Sequence, residues 1–495
     1  MPKHLLTPID REQPLSIVVV GASGDLALKK IFPALFALFC QELLPKQCRV
    51  IGFARSPWSV EKFRGRVTRH LTCRYSPGEK CEEDMQAFLE RLDYIAGQYD
   101  SADDFRRLGS SMQATGAGTP ENRVFYMSIP PFLFLPVARS MEAAGLVKRN
   151  GAEAWSRVVI EKPFGRDRAS SDQLTRDIGE VFTEEQTYRI DHYLGKEVIQ
   201  NLLVLRFANL IFDPVWNRAC IDYVRISWME DIGIEGRAGY FDEYGIIRDV
   251  MQNHLLQIVA LVAMEEPISL DAKYVRDEKV KVLRSIPAVT LDDIVVGQYT
   301  DGEYQGQPYA GYLEEEGIPG DSITPTYAAT AVHVKNRRWD GVPFLIRAGK
   351  ALDARMTEIL IRFREVPSNI FAGTAAHLSP NELVVRVQPD AGIAISIINK
   401  VPGLTMQHQE SSLDLRYESA FKTVIPDAYE CLLLDVILGD KSLFIRADEL
   451  EAAWDIFTPV LSDLETCTIK PQGYAFGSSG PRSGQALAAL YGAEW

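Results

Sequence analysis

The stretch Leu-Ser-Ile-Val-Val-Val-Gly-Ala-Ser-Gly-Asp-Leu, residues 15–26, decides how the first half of the chain folds. Its β-branched run, residues 15–20, is typical of a strand buried on both faces of a parallel sheet, and an apolar helical pattern follows from about Asp25 to Leu38. A glycine turn between a strand and a helix can bind a diphosphate through backbone N–H groups at the helix N-terminus. The Gly-x-x-Gly spacing alone is weak evidence, because many such turns need glycine only for their geometry.

A second predicted strand, residues 49–54, supplies the next piece of evidence. After this strand, an NAD-preferring site places an acid against the ribose hydroxyls. The chain has Arg55 and Ser56 there instead. Because a guanidinium and a hydroxyl suit a 2′-phosphate, which an acid would repel, we predict NADP rather than NAD. The alternative is that Arg55 is an ordinary surface charge.

Two more buried-strand patterns follow, at residues 123–129 and 156–160, and the second runs directly into a Glu-Lys-Pro-Phe-Gly segment. In an open α/β sheet the carboxyl ends of the strands face the ligand crevice, so Lys162 is a candidate for contact with the cofactor. The alternative is a lysine that extends to solvent from the end of a strand. We predict a Rossmann-like, doubly wound domain over residues 10–190.

After residue 200 the pattern changes. One long helix is predicted from Gly245 to Met264, and later strand patterns are separated by short turns rather than helices: Tyr327–Lys335, Phe344–Arg347, Glu358–Val366, Glu382–Gln388 and Ile393–Ile398. Strands joined in this way predict a large, mostly antiparallel sheet. The predicted fold class is therefore α/β plus α+β, with an α+β substrate-binding and oligomerisation domain over residues 191–495.

Composition limits the classes of partner. The chain has 495 residues, 46% of them hydrophobic, and a net charge of −14, which argues against nucleic-acid and anionic-membrane partners. We find no signal peptide and no apolar run long enough to span a bilayer, and we expect a cytoplasmic protein. Seven scattered cysteines without zinc-site spacing predict free thiols and no metal site, although Cys73 and Cys81 are close enough in sequence for a loop disulfide.

Residues 189–197, Arg-Ile-Asp-His-Tyr-Leu-Gly-Lys-Glu, crowd complementary polar groups into one short segment. Gly195 admits a backbone conformation that a side chain would forbid. Four side chains together suit an anion and an oriented base: Asp191, His192, Tyr193 and Lys196. The alternative is a solvated turn with a capping aspartate. The predicted domain junction favours a ligand site, because clefts between domains often hold one.

The predicted long helix carries Asp249 and His254. They are five residues apart, about 500° of α-helical rotation, so we expect them on different faces and not paired with each other. A lone helical histidine is more often structural than catalytic. An acid elsewhere in the chain, such as Asp191, would make His254 an oriented general base.

Five ordered motifs together resemble the glucose-6-phosphate dehydrogenase family: residues 21–26, 161–165, 189–197, 245–254 and 347–352. The resemblance runs from about residue 15 to the C-terminus. It implies that D-glucose 6-phosphate is oxidised at its anomeric carbon to 6-phosphoglucono-1,5-lactone, with hydride transfer to NADP. This reaction is the first step of the pentose phosphate pathway.

The resemblance also implies roles for individual residues. His254 takes the proton from the anomeric hydroxyl, and Asp191 is hydrogen-bonded to it. The implied substrate contacts are Lys162, His192, Tyr193, Lys196, Glu230, Asp249, Lys350 and Arg355. The implied cofactor contacts are Gly21, Ala22, Ser23, Gly24, Asp25, Leu26, Arg55, Ser56 and Lys162.

The resemblance further implies a dimer or tetramer that assembles through the large sheet. Animal members of the family hold a second, structural NADP on that sheet with basic and aromatic side chains. Arg347 and Arg386 match that pattern, but four other positions do not: Met356, Leu360, Ala394 and Ser396. We therefore predict that this chain lacks a tightly held structural NADP.

Two other functions fit part of the sequence. A sugar oxidoreductase of the glucose–fructose oxidoreductase type would share the Rossmann domain and the Glu-Lys-Pro motif, but it would not explain the phosphate-binding residues in 189–197. A catalytically inactive sensor of NADP and sugar phosphate would not need both Asp191 and His254.

Overall fold

The computed structural model describes residues 13–75, 77–113, 121–148, 154–371 and 378–495. It divides into two compact units. Unit 1 comprises residues 1–197, 267–276 and 424–451, and unit 2 comprises residues 198–266, 277–423 and 452–495. Residues 10–12, the start of the predicted first domain, lie outside the described residues.

The strands of the described residues are β1 Leu15–Val20, β2 Cys48–Ala54, β3 Leu92–Ala96, β4 Asn122–Met127, β5 Ser156–Ile160, β6 Thr187–Ile190, β7 Ile221–Met229, β8 Ile294–Thr300, β9 Gly302–Tyr304, β10 Gln307–Tyr309, β11 Tyr327–His333, β12 Pro343–Gly349, β13 Met356–Phe363, β14 Glu382–Gln388, β15 Gly392–Lys400, β16 His408–Arg416, β17 Phe444–Ile445 and β18 Gln472–Ala475.

The α-helices are α1 Phe32–Cys40, α2 Val60–Thr68, α3 Glu79–Glu90, α4 Ala102–Gln113, α5 Phe134–Ala143, α6 Arg168–Gly179, α7 Glu197–Phe207, α8 Ala238–Ile246, α9 Leu256–Ala263, α10 Ala272–Leu283, α11 Tyr417–Phe421, α12 Ala428–Leu438, α13 Ala447–Thr466 and α14 Arg482–Ala489. Two segments are π-helical, Ala27–Ile31 and Ile247–Leu255. Short 3₁₀ turns lie at Pro131–Leu133, Glu184–Gln186, Asp213–Val215, Leu291–Asp293 and Tyr312–Glu314.

Unit 1 contains a seven-stranded sheet in the order β17-β6-β5-β4-β1-β2-β3. Strands β1 to β6 are parallel, and β17 is an antiparallel edge. All six residues of β1 are buried, as the β-branched run predicts. Because β1 lies between β2 and β4, the order of strands 1 to 6 is that of a dinucleotide-binding fold, with its switch point beside β1. The predicted Rossmann-like fold is confirmed.

The parallel arrangement brings the ends of distant segments to one edge of this sheet. Val20 pairs with Phe53, and Val20 also pairs with Met127 in register, so β1, β2 and β4 end together. The residues that follow β1, β2, β5 and β6 therefore share the carboxyl edge of the sheet: Gly21, Arg55, Lys162 and Asp191.

Two later segments, residues 267–276 and 424–451, belong to unit 1, which a single boundary after residue 190 does not describe. In the second of these segments, strand β17 pairs with β6, and helix α12 packs against α1. Apolar residues of α12, among them Leu432 and Val436, are part of the same buried cluster as Ile17 and Val19 of β1. This burial of apolar surface explains why the second segment returns.

Unit 2 contains a nine-stranded sheet in the order β16-β15-β14-β13-β7-β12-β11-β8-β18. Most neighbours are antiparallel, and the pairs β7–β12 and β8–β18 are parallel. All five predicted strands occur, with bounds shifted by up to three residues. Buried and partly buried residues alternate along β14, as expected for a strand with one face on a core. The predicted α+β fold is confirmed.

The predicted single helix from Gly245 to Met264 is wrong. Helix α8 kinks at Gly245, whose φ is 64° and ψ is 172°, and a π-helix continues to Leu255 before α9 begins. A Cβ at Gly245 would lie 3.2 Å from Thr324 Cγ2. Glycine therefore suits this position for two reasons, its positive φ and the closeness of the Thr324 side chain. The Ile246 N–H then donates to the Pro325 carbonyl at 3.0 Å, which fixes the start of the π-helix.

The cysteine prediction needs one correction. Cys73 and Cys81 form a disulfide that closes a nine-residue loop, whereas Cys40, Cys48, Cys220, Cys431 and Cys467 are free thiols. Cys81 lies in the first turn of α3, and spacing alone did not favour this pairing. Among the described residues, no helix is long and apolar enough to cross a membrane.

Candidate active site

The backbone of the glycine turn after β1 lies close to the backbone of the neighbouring strand β2. Gly21 has a φ of 86°, and its N–H donates to the Phe53 carbonyl of β2 at 2.8 Å. Ser56, which follows β2, donates from its hydroxyl to Ser23 of the turn at 3.0 Å. Arg55 is exposed, and its guanidinium lies 5.2 Å from the ring centroid of Tyr99. The hydrogen bond between Ser56 and Ser23 thus joins the turn to the end of β2, with Arg55 exposed beside them and Ala22 of the turn fully buried.

Lys162 lies beside a buried carboxyl at the end of β5. Tyr126 donates to Glu161 Oε1 at 2.5 Å, and Tyr429 is also hydrogen-bonded to Glu161. Burial raises the pKa of Glu161 to about 7, against the opposing effects of the Tyr126 hydrogen bond and the Lys162 charge. The Lys162–Pro163 peptide is cis. Lys162 thus follows β5 directly after this buried carboxyl, at the carboxyl edge of the sheet.

Within the segment 189–197, residues 191–196 form a compact turn between β6 and α7 rather than a solvated one. Asp191 is buried, and its Oδ1 accepts the Tyr193 N–H at 2.9 Å. The Lys196 N–H donates to the Tyr193 carbonyl at 3.1 Å, and the Lys196 ammonium lies 5.0 Å from the Tyr193 ring centroid. His192 and Lys196 are partly exposed. The turn thus groups three of the residues that the resemblance implies as phosphate contacts.

Gly195 is required for a different reason from the one expected. It does not have a positive φ, but a Cβ there would lie 2.6 Å from the Ala428 carbonyl oxygen at the start of α12. Tyr429 of the same helix stacks on His192, with ring centroids 6.2 Å apart and planes 6° from parallel. Sequence reasoning missed Tyr429, because nothing in its local sequence links it to a segment more than 200 residues earlier.

Unit 2 carries the other predicted substrate residues. Glu230 and Lys350 follow the parallel neighbours β7 and β12, whose last residues, Met229 and Gly349, are paired. The Lys350 ammonium, on a side chain that is almost fully buried, donates to Glu230 Oε2 at 2.5 Å. Arg355 is exposed and precedes β13 directly. The structure therefore joins Glu230 and Lys350 as an ion pair.

The π-helix changes the expected relation between Asp249 and His254. In a π-helix, hydrogen bonds join residues five positions apart, so such residues lie one turn apart on the same face. Both side chains are buried, with 8% of Asp249 and 2% of His254 exposed. The expectation that they lie on different faces is wrong, because it assumed α-helical rotation. Such π-helical turns often occur at functional sites.

Comparisons with known proteins cover both units. Residues 18–201 match the family model described as glucose-6-phosphate dehydrogenase, NAD binding domain, and residues 203–495 match the model for its C-terminal domain. A glucose-6-phosphate 1-dehydrogenase from Arabidopsis thaliana, described as chloroplastic, is 52% identical over 98% of this chain and 84% of its own length. The Dictyostelium discoideum enzyme is 46% identical over 98% of this chain and 95% of its own length.

Solved structures give the same result. A glucose-6-phosphate dehydrogenase in complex with its substrate glucose-6-phosphate matches with a TM-score of 0.91 and 40% identity, covering 98% of this chain and 99% of that protein. Glucose-6-phosphate 1-dehydrogenase from Mycobacterium avium matches with a TM-score of 0.82 and 33% identity, covering 96% and 97%. The chain therefore belongs to the glucose-6-phosphate dehydrogenase family.

Proposed function

We propose that His254 is the general base of this enzyme and that Asp191 orients it. The enzyme oxidises D-glucose 6-phosphate at the anomeric carbon to 6-phosphoglucono-1,5-lactone and reduces NADP. An alcohol releases hydride readily only as its proton departs, so a histidine with a reference pKa of about 6.5 is a suitable base. The observation that supports this proposal is the burial of His254 in a π-helical turn that it shares with Asp249.

The remaining residues divide into proposed groups by the part of the substrate that they meet. Glu230 and Asp249 accept hydrogen bonds from sugar hydroxyls. A second group holds the sugar phosphate: His192, Tyr193, Lys196, Lys350 and Arg355. Lys162 lies between cofactor and sugar. Cations at the phosphate do no chemistry, but they fix a remote handle and so convert binding energy into orientation of the anomeric carbon.

The cofactor is NADP, and we propose which residues hold it. Backbone N–H groups of the turn over residues 21–26 bind the diphosphate. Arg55 and Ser56 bind the 2′-phosphate, and the hydrogen bond from Ser56 to Ser23 supports this proposal because it joins the two parts of the site. When bound, the nicotinamide of NADP supplies the hydride acceptor.

Formation of NADPH from glucose 6-phosphate, followed by absorbance and compared with free glucose, tests the function. We expect turnover with the phosphorylated sugar and little with glucose. A preference for free glucose would favour the sugar oxidoreductase alternative. No absorbance increase with either sugar would favour the inactive sensor.

Substitution of Lys196 by alanine should raise the Michaelis constant for glucose 6-phosphate roughly 10- to 100-fold, since a hydrogen bond between charged groups contributes about 1.5–3 kcal/mol. Discrimination against unphosphorylated glucose should weaken in parallel. Initial-rate kinetics with both sugars measure the two effects. Lys80→Ala, which removes an exposed lysine on α3 of the same unit, is the matched control. An unchanged Michaelis constant in Lys196→Ala would remove this residue from the phosphate group.

We propose that the chain forms a dimer or tetramer through the large sheet of unit 2. Strand β16 forms one edge of this sheet and is largely exposed, including 62% of Leu413 and 43% of Leu415. Exposed apolar side chains on a sheet edge favour association with a second copy. Light scattering during size-exclusion chromatography measures the mass, and a monomer would contradict the proposal.

Purified enzyme should carry no tightly held NADP on the large sheet. Four positions lack the expected basic or aromatic groups, namely Met356, Leu360, Ala394 and Ser396, while Arg347 donates to Ser227 and Arg386 pairs with Asp414. These cations already have partners within unit 2. Denaturation followed by enzymatic NADP quantification checks the prediction, and titration with added NADP should give one site per chain. Stoichiometric NADP that survives extensive dialysis would contradict it.

The cytoplasm is the proposed compartment, on the composition of the chain. Several plant relatives are described as chloroplastic, including those from spinach and tobacco. Fractionation of cells that produce the full chain would distinguish the two compartments, and recovery with an organelle would contradict the proposal.

A further inference from the structure

A hydrogen bond joins two parts of unit 2 that a straight helix would separate. Tyr240 lies in α8, and its hydroxyl donates to Asp249 Oδ1 in the π-helix at 3.2 Å. Nine residues of straight α-helix would place their backbones about 14 Å apart along the axis. The kink at Gly245 removes that separation. The contact is therefore a product of the kinked helix and not of local sequence spacing.

The residue after Tyr240 lies beside two other proposed substrate contacts. This residue, Phe241, has a ring whose centroid is 5.4 Å from the Lys350 ammonium, and that ammonium pairs with Glu230. One turn of α8 therefore contacts both the ion pair and the Asp249 carboxylate.

The direction of the hydrogen bond follows from the charges. Burial raises the pKa of Tyr240, and the Asp249 charge raises it further, so the phenol keeps its proton. Asp249, as a carboxylate, accepts. A carboxylate has about four acceptor positions on its two oxygens, and the bond from Tyr240 occupies one of those on Oδ1 and so restricts where that oxygen lies.

We propose that Tyr240 is a positioning residue that fixes the Asp249 carboxylate for recognition of sugar hydroxyls and so sets which sugar phosphate the enzyme accepts. This inference rests on the proposed role of Asp249. The terminal torsion of a carboxylate has a broad minimum, so loss of the Tyr240 hydroxyl would remove one of the contacts that restrict its rotation. Substrate binding would then include the free-energy cost of ordering the Asp249 carboxylate.

Substitution of Tyr240 by phenylalanine isolates the hydroxyl, because the ring that stacks on Tyr244 at 4.9 Å remains. We expect the Michaelis constant for glucose 6-phosphate to rise roughly tenfold, in line with the loss of one hydrogen bond to a charged group. The turnover number and the Michaelis constant for NADP should stay within about twofold. Discrimination against galactose 6-phosphate, mannose 6-phosphate or 2-deoxyglucose 6-phosphate should fall for at least one of the three.

Tyr299→Phe is the matched control. Tyr299 is buried in unit 2 and donates to Glu315 Oε1 at 2.9 Å, a bond of the same chemical type to a carboxylate outside α8 and the π-helix. It should lower the melting temperature without changing the Michaelis constants. If Tyr240→Phe gives only this pattern, the residue is structural and the proposal is wrong.

A double-mutant cycle with Asp249→Asn tests whether the effect passes through the carboxylate. In the Asp249→Asn background, Tyr240→Phe should change the Michaelis constant less than twofold. A full tenfold effect in both backgrounds would mean that Tyr240 acts on another group. If the parent enzyme showed no activity, the assigned function itself would be overturned. If the parent were active and Tyr240→Phe had the same Michaelis constant as the parent, only this inference would be overturned.

Discussion

Replacement of His254 by asparagine should lower the turnover number roughly 10²- to 10⁴-fold while binding of glucose 6-phosphate changes little. The physical reason is that a general base acts on the proton in the transition state, so its loss does not remove ground-state binding. Asparagine keeps much of the size and polarity of histidine in a buried position but cannot take the proton. Stopped-flow or steady-state rates of NADPH formation and calorimetric titration of the substrate measure the two quantities.

His333→Asn is the control for this experiment. His333 lies at the end of β11 in the same unit, is partly buried, and has a pKa lowered by that burial. Its loss should leave the turnover number within about twofold of the parent. Residual activity above a few per cent in His254→Asn would mean that another group takes the proton, and equal losses in both variants would indicate a general structural effect.

Replacement of Gly21 by alanine should lower the free energy of unfolding by about 2–5 kcal/mol, from left-handed backbone strain and overpacking together, and should abolish measurable NADP binding. Gly21 has a φ of 86°, and a Cβ there would lie 2.1 Å from the Ser128 carbonyl oxygen. Backbone atoms cannot give way as a flexible side chain can, so β1 and β4 would have to separate at the switch point. Urea unfolding and fluorescence titration with NADP measure the changes.

Gly65→Ala serves as the comparison for that variant. Gly65 lies in α2, and a Cβ added there would meet nothing within 4 Å, so the extra methyl group should be neutral or stabilise the helix by up to about 1 kcal/mol. If Gly21→Ala matched Gly65→Ala in stability and in NADP affinity, the close approach at the turn would not be needed for cofactor binding.

Much of the fold was predictable because its signals are local. The buried run in β1, the glycine turn after it and the period of the later strands each depend on residues close together in sequence. For the same reason, the segment 189–197 was recognisable as a candidate site before any contact was known. The return of α12 and β17 to unit 1 was not predictable, because the buried surface that holds them belongs to residues far earlier in the chain.

The candidate site shows the same division between features with local signals and features that depend on distant segments. The order of motifs predicted the residue types at each strand end, and parallel pairing in unit 1 makes the edge they share. The partners of those residues come from elsewhere: Tyr429 reaches Glu161 and His192 from α12, and Lys350 pairs with Glu230 across two strands. No propensity or spacing rule connects these positions.

The sequence by itself determined the family, the strand–turn–helix that we propose for cofactor binding, and the identity of the proposed base, because motif order and local periodicity carry that information. Only the tertiary structure decided that Asp249 and His254 share a face, that Tyr240 contacts Asp249, and that Gly195 is needed for packing rather than for its φ. The physical reason is that π-helical register, the kink at Gly245 and close backbone approaches depend on packing against distant segments, and intrinsic helix propensity does not encode them.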